Sequence, residues 1–453
     1  MMPPLSVIRW LSAPRSADTL VAWRGDQFWT LGHLRNDVAR CVERLQQHQG
    51  QRWALCFDDS YLFLVALLAT LHAHKTPVIP GHSRLSQLEE QRALFDGVLS
   101  EKPLGWSGPT WVISRSRRSP TQTITFHPLA DDAAAIELFT SGSTGQPKRI
   151  IKSLAVLDRE AELLATHFAD RLAGCRIVAS VAPQHLYGLT FRIFLPMALG
   201  LPLDAAMLNY AEQLSALDPR HRYAFISSPA FLKRLDPRLN PPPVAILFSA
   251  GGVLSWEQVT GANDWLKCRP DEIYGSTETG ILAWRCREQE QGDWRPFPGV
   301  SFLPEGEAFR VFSPLIAHQD GLLLDDTLQF TDDGQFRLAG RRGRVVKIEE
   351  KRISLSEIEQ RLLELEGIQD AVALPVSRGG RQAIGVLLVL NGHTRQKWQS
   401  ANKPLEQAWR RALRPRLESV AIPRYWRIID EIPVNSMNKR VYAQLQELFH
   451  ETP

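Results

Sequence analysis

The segment FTSGSTGQPKRI, Phe139 to Ile150, sets hydroxyls, two glycines and a lysine into one loop directly after the apolar stretch AAAIELF. Backbone N–H groups and small hydroxyls in such a loop can wrap phosphates, because glycine permits close approach to the backbone and lysine supplies a compact charge. It is not a Walker A loop, which needs Gly-Lys-Ser/Thr ahead of a helix, since Pro147 stands between Gly145 and Lys148. By composition alone, a polar linker and a phosphate-binding turn are both open. Further polar candidates follow: SAGG at Ser249 to Gly252, YGSTETG at Tyr274 to Gly280, Asp326 seven residues ahead of Asp333-Gly334, Gly340-Arg341, and PVNSMNKR ending in Lys439-Arg440. Taken singly, Glu278, Asp326 beside Asp325 and Lys439 beside Arg440 read as solvated charges, and His185 in PQHLYG as a structural histidine.

A strand–helix–strand rhythm positions these residues. It starts with RWALCF (52–57), an apolar helix from Leu62 to His74 and TPVIP (76–80). Further short strands are expected at 176–183, 223–228, 244–251 and 271–275, with helices over 154–170 and 189–199. This alternation predicts α/β with a largely parallel sheet. The sequence changes character near Ala339 to Gly343, where a domain boundary fits. Beyond it, Ser354 and Glu357 have capping-box spacing before IEQRLLELEG, whose Gly367 suits a helix C-terminus. DAVALPV (370–376) and AIGVLLVL (383–390) read as a strand pair and 402–418 as a basic helix, together a small α+β module.

At ~150 residues per domain, a chain of 453 residues holds two to four domains. Its 44% hydrophobic and 23% charged residues exclude disorder, collagen and coiled coil. A net charge of +4 is too small to imply nucleic-acid binding through bulk electrostatics. The charge is uneven, however: from Arg341 onward there are 20 Lys+Arg against 13 Asp+Glu. Cys41, Cys56, Cys175, Cys268 and Cys286 are odd in number and lack a CxxC, which argues for reduced thiols rather than a disulfide framework or zinc site. The longest apolar run, Leu62 to Leu71, falls short of the ~20 residues that span a bilayer, and the N-terminus has Pro and Arg where a signal peptide is apolar. A soluble, cytoplasmic protein without a membrane span is the expectation.

The order TSGSTGxPK is the phosphate-loop signature of the adenylate-forming (AMP-binding) superfamily, which includes acyl-CoA synthetases, peptide-synthetase adenylation domains and firefly-type luciferases. The chain resembles that family over roughly residues 20 to 445. The family's later elements appear in order: SAGG for adenine, Tyr-Gly-x-Thr-Glu, a ribose-binding Asp, Gly-Arg at the domain junction and a lysine near the C-terminus. The resemblance implies a large multi-subdomain N-terminal adenylation core at 1–340 and a small, mobile α+β C-terminal lid at 341–453. It implies ATP-dependent activation of a fatty acyl or aryl carboxylic acid to an acyl-adenylate, then transfer to the phosphopantetheine thiol of CoA or an acyl carrier protein. Joining a carboxylate to a phosphate brings two anions together, so such a site needs Mg²⁺, lysine and oriented N–H groups. By resemblance, Thr140, Ser141, Gly142, Ser143, Thr144, Gly145 and Lys148 hold the leaving pyrophosphate. Gly251 and Gly252 take the adenine and Tyr274, Gly275 and Ser276 belong to the nucleotide site, with Thr277 near the α-phosphate and Glu278 on Mg²⁺. Asp326 and Arg341 bind the ribose, Lys439 bridges carboxylate and phosphate, and His185 lines the acyl pocket.

Four departures qualify the resemblance. The hinge position two residues after the junction arginine is Gly343, which can adopt either backbone state that domain rotation requires. Glu350, in KIEEKRISL, replaces the glycine beside the usual pantetheine path, which argues against transfer to CoA or implies a shifted tunnel; a carrier protein is slightly preferred over CoA. Asn438 replaces the glycine before Lys439, a tolerable change because Asn accepts a left-handed conformation. About 140 residues precede the phosphate loop, which implies a trimmed N-terminal subdomain. PQHLYGLTFR lacks the Phe-Asp pair that clamps an amino-acid ammonium, so an acyl or aryl acid is expected. Arg410, Arg411, Arg414 and Arg416 would draw an acidic carrier or the phosphates of CoA, or form a solvated basic face. A non-catalytic nucleotide sensor of the same fold is the alternative; a mobile lysine would be needless in it.

Overall fold

The computed structural model describes residues 3–81, 83–115, 125–130, 135–141, 147–306, 308–341, 345–348, 351–378, 381–417, 419–434, 440 and 442–450. Two compact units make up the chain: Met1–Ser301 with Phe312–Leu322, and Phe302–Val311 with Leu323–Pro453. The division falls ahead of the expected 340. Phe330 lies 5.4, 4.9 and 5.5 Å from the rings of Phe302, Phe309 and Phe336, and this aromatic cluster carries the segments around 302–311 and 323–341 into the second unit.

The first unit holds two largely parallel sheets. One runs, neighbour to neighbour, Thr110–Val112, Gly97–Ser100, Arg52–Cys56, Thr76–Ile79, Ala135–Ser141 and Pro147–Ser153, all parallel except the last pair. The other has nine strands, and its centre runs Cys175–Ala179, Arg222–Ser227, Val244–Ser249, Pro270–Ser276 and Gly280–Cys286, again parallel until an antiparallel last pair. Each sheet therefore turns back on itself in a hairpin.

The expected apolar helix is Ser60–His72, capped by the Asp59 carboxylate, which accepts from the Leu62 N–H at 2.9 Å. Its residues from Ser60 to Leu71 are buried on every side, as a helix enclosed within a core requires. The helix expected over 154–170 is Leu154–Leu172, and the Ser153 hydroxyl caps it by accepting from Val156 N–H at 3.3 Å. Leu154, Leu157, Ala161, Leu164, Ala165 and Phe168 form its buried stripe. The helix expected over 189–199 is π-helical at Leu189–Phe194 and α-helical at Leu195–Leu199. Arg192 lies buried in the π segment and donates to the carbonyls of Val181 (2.8 Å) and Ala206 (2.6 Å). Burial lowers its pKa to about 10, so it stays charged at neutral pH.

In the second unit, Ile368–Arg378 and Arg381–Leu390 pair antiparallel, and Tyr425–Ile428 adds a parallel edge. Ser354 accepts from the Glu357 N–H at 3.2 Å and starts the helix Leu355–Leu363. Gly367 does not end that helix as expected. It lies beyond, at φ +86°, where a Cβ would meet Thr394 Oγ1 at 1.9 Å. The basic helix is Asn402–Leu413, shorter than expected, because Pro415 has no N–H with which to continue the hydrogen-bond ladder. Among the described residues, no helix is long and apolar enough to cross a membrane.

His72 ends the enclosed helix with its ring 5.0 Å from that of Phe126, and burial, then His74, lowers its pKa from 6.5 to about 4. Between those values only the unfolded chain takes the proton, so stability falls as pH drops. Urea unfolding of wild type and His72→Phe from pH 7 to 4 will show wild type losing up to ~3 kcal/mol that the variant keeps. A constant difference between the two would refute this.

Candidate active site

The two hairpins carry the two strongest motifs. In the smaller sheet the strands that flank the glycine-rich segment hold Thr140 opposite Lys148 and Ser141 opposite Pro147. Gly142, Ser143, Thr144 and Gly145 lie outside the described residues, as do the side chains of Thr140 and Ser141. In the larger sheet, Thr277–Thr279 joins Pro270–Ser276 to Gly280–Cys286. This turn admits little variation. A Cβ on Gly275 would stand 2.2 Å from the Gly280 carbonyl, and Gly280 itself has φ +70°. The buried Thr279 hydroxyl accepts from the Ser276 N–H at 3.0 Å and donates to the Gly280 carbonyl at 2.8 Å.

The hairpins meet through Lys148, whose Nζ lies 2.9 Å from Glu278 Oε1. Lys152, on the same strand, donates to the Glu278 backbone carbonyl at 2.9 Å. Burial opposes ionisation of Glu278, but the Lys148 ammonium, the glutamate's own N–H and Ser276 outweigh it, and the carboxyl is held below its ordinary pKa. Lys152 is almost wholly enclosed. Burial lowers its pKa, against the opposing pull of Glu160 and Glu278.

The fourth partner, Glu160, was not singled out from sequence. It sits on the buried face of Leu154–Leu172, where Oε1 accepts from Ile281 N–H at 2.8 Å and Oε2 from the Thr190 hydroxyl at 2.6 Å. Its signal was present: a carboxylate between Leu157 and Ala161, on a stripe that is otherwise apolar. Also unforeseen is a buried charge network behind the second hairpin. Glu272 binds Arg285 (2.8 Å) and Arg287 (2.5 Å), and Arg287 donates to the Leu254 carbonyl at 2.6 Å. That bond braces the segment after the adenine motif, where Gly251 needs its glycine for φ +85° rather than for space. Gly252 is exposed beside it, and the ring of Tyr274 lies 5.7 Å from that of Trp294.

His185 is half-buried. Its ring and the Phe139 carbonyl both abut Gly81, at 3.4 and 3.5 Å from where a Cβ would stand, so it borders the strand leading into the phosphate loop. Its neighbours fix it from both sides: Gln184 donates to the Phe57 carbonyl at 2.8 Å and Tyr187 to the Ser227 carbonyl at 3.1 Å.

Within the second unit, Asp326 opens the strand Asp326–Phe330 in direct register with Arg341 on Phe336–Arg341. The two expected ribose partners are thus cross-strand neighbours, whereas Asp325 precedes the strand and is exposed. The Arg341 side chain, Gly343, Glu350, Asn438 and Lys439 lie outside the described residues. Next to Lys439, Arg440 bridges to Val434 and donates to Asp370 at 2.6 Å and to the Ala371 carbonyl at 3.0 Å.

Comparison with known proteins agrees with this geometry. A 4-coumarate–CoA ligase of Cereibacter sphaeroides is 27% identical over 270 residues, covering 59% of this chain and 62% of the ligase, so the chain spans less than two thirds of that relative. A second, from Halorhodospira halophila, is 28% identical over 318 residues, covering 66% of this chain and 73% of the ligase. The o-succinylbenzoate CoA synthetase of Bacillus subtilis, solved with its acyl-adenylate intermediate, has a similar fold: TM-score 0.79 and 18% identity over 98% of this chain and 99% of that one. The mixed α/β architecture is therefore that of solved adenylate-forming enzymes along nearly the whole chain. The model of the family described as AMP-binding enzyme matches residues 82–312. That match takes in just over half of the sequence and both hairpins that meet through Lys148 and Glu278, and the chain belongs to the AMP-binding enzyme family of the adenylate-forming superfamily.

Proposed function

We propose that the protein is an AMP-forming acid–thiol ligase that activates an acyl or aryl carboxylic acid with ATP and passes it to a phosphopantetheine thiol. The observation that carries this reading is the 2.9 Å contact between the phosphate-loop lysine and Glu278, which sets cation and carboxylate together where two hairpins meet. In the first half-reaction a carboxylate oxygen bonds to the α-phosphorus, the Pα–O–Pβ bond breaks, and pyrophosphate leaves. In the second, the thiol sulfur takes the acyl group and AMP leaves with the bonding pair. Two anions must approach, so stabilisation is electrostatic.

In this reading Lys148 and the loop residues Thr140 to Gly145 hold the pyrophosphate, Thr277 the α-phosphate, and Asp326 and Arg341 the ribose. Glu278 is ionised and part-exposed, a hard oxygen donor fitted to Mg²⁺, which takes a carboxylate plus substrate phosphates. Mg²⁺ would supply charge neutralisation there. Residues 341–453 act as the mobile lid that delivers Lys439, with Gly343 as hinge. The relatives' aromatic acids favour an aryl substrate. The thiol arm belongs to CoA or to an acyl carrier protein, and of the four arginines Arg411 and Arg414 are exposed and would suit the phosphates or acidic surface of either, whereas Arg410 pairs with Glu406 and Arg416 with Glu364. A cytoplasmic location completes the reading.

Acid-dependent ATP–pyrophosphate exchange over short, medium, long and aromatic acids tests it. Exchange with one acid class, lost by about two orders of magnitude in Lys439→Ala, is the expected outcome; silence across the panel with ATP still bound would remove the ligase reading. Lys148→Met is expected to raise the KM for ATP by about tenfold or more, with the KM for the acid nearly unchanged. An unaltered KM for ATP would take Lys148 out of the phosphate site.

A further inference from the structure

Three side chains from one short stretch grip the Thr277–Thr279 turn. Lys148 holds the Glu278 carboxylate and Lys152 its carbonyl, while Glu160, in the helix that follows the strand, takes the Ile281 N–H on the other side of the turn. The Lys148 contact is half in solvent and worth little to stability. The other two are enclosed, with Lys152 at 4% and Glu160 at 2% exposure. A buried polar side chain bonded to a backbone group fixes that group, because moving it would strand the side chain without a partner. Glu160 also packs against Gly280, where a Cβ would lie 2.9 Å from its Oε1. Its second oxygen holds Thr190, in the π-helical segment that follows His185.

The geometry points to Lys152 and Glu160 as positioning residues that lock the Thr277–Glu278 turn to the phosphate-loop hairpin, with Thr190 tying the same carboxylate to the segment beside His185. Neither touches the reacting atoms. They act through the turn, so displacing it by even an ångström would cost rate before it cost binding. The inference rests on the reading of Thr277 and Glu278 as phosphate and Mg²⁺ residues, and its test has an arm that needs no turnover.

Full-length wild type, Glu160→Gln, Lys152→Met and Lys152→Arg are compared by hydrogen exchange of the 274–283 segment and by acid-dependent ATP–pyrophosphate exchange. Glu160→Gln keeps size and shape but puts an amide donor where a carboxylate accepted. Faster amide exchange confined to 274–283 in Glu160→Gln and Lys152→Met is expected, with kcat down about tenfold or more and KM for the acid within about twofold. Lys152→Arg, which keeps a cationic donor, should regain most of both. Unchanged protection and kcat in folded variants would overturn the proposal, as would a rate loss that only follows the folded fraction or protection lost across the whole chain. If wild type shows no exchange with any acid, the ligase reading fails, and the amide-exchange arm alone decides whether the two residues hold the turn.

Discussion

Glu278 is held twice, by its carboxylate and by its carbonyl, from two lysines four residues apart on one strand. Residues on a strand alternate faces, so Lys148 and Lys152 share a face and reach the same turn. The consequence is that the strand Pro147–Ser153 of one sheet is fastened along its length to the turn Thr277–Thr279 of the other. The carboxyl ends of parallel strands are where α/β folds place ligands. Here the turn Thr277–Thr279 leaves the carboxyl end of Pro270–Ser276, and Lys148 meets it there.

Magnitudes separate the parts of this arrangement. An exposed ion pair such as Lys148–Glu278 contributes ~0–1 kcal/mol, so it does little to hold the turn. The buried contacts matter for rigidity. A hydrogen bond to a charged group contributes ~1.5–3 kcal/mol, and leaving such a group unsatisfied costs at least as much. Glu160, Lys152, Arg192 and the Glu272–Arg287 pair are buried polar groups whose hydrogen bonds tie together segments far apart in the chain. The segments that carry chemistry are thereby fixed by polar groups anchored in apolar surroundings.

The second unit has its own core, in which Trp398, Trp409 and Trp426 stack at 5.6 Å spacings beside the three-stranded sheet. Its functional elements sit at strand ends and at an anchored bridge. Asp326 and Arg341 share a rung of one hairpin, and Arg440 ties the residue after Lys439 to the strand Ile368–Arg378.

The motif order was legible in the sequence because phosphate chemistry constrains residue types and spacing locally: a Gly-rich loop must be Gly-rich wherever it folds. The parallel rhythm and the enclosed helix were legible for the same reason, since an apolar run of that length has few ways to be buried. Strand neighbours, the join between the two hairpins and the extent of the second unit were not, because they depend on residues far apart in the chain. Glu160 and Lys152 carried no local signature beyond a charge among apolar neighbours, and Gly367 fell in a turn rather than at a helix end because packing against Thr394 decided its place. The sequence by itself determined which groups could bind phosphate. Only the tertiary structure decided that Lys148, Lys152 and Glu160 converge on one turn, since convergence is a property of how two sheets and a helix pack and not of any segment within them.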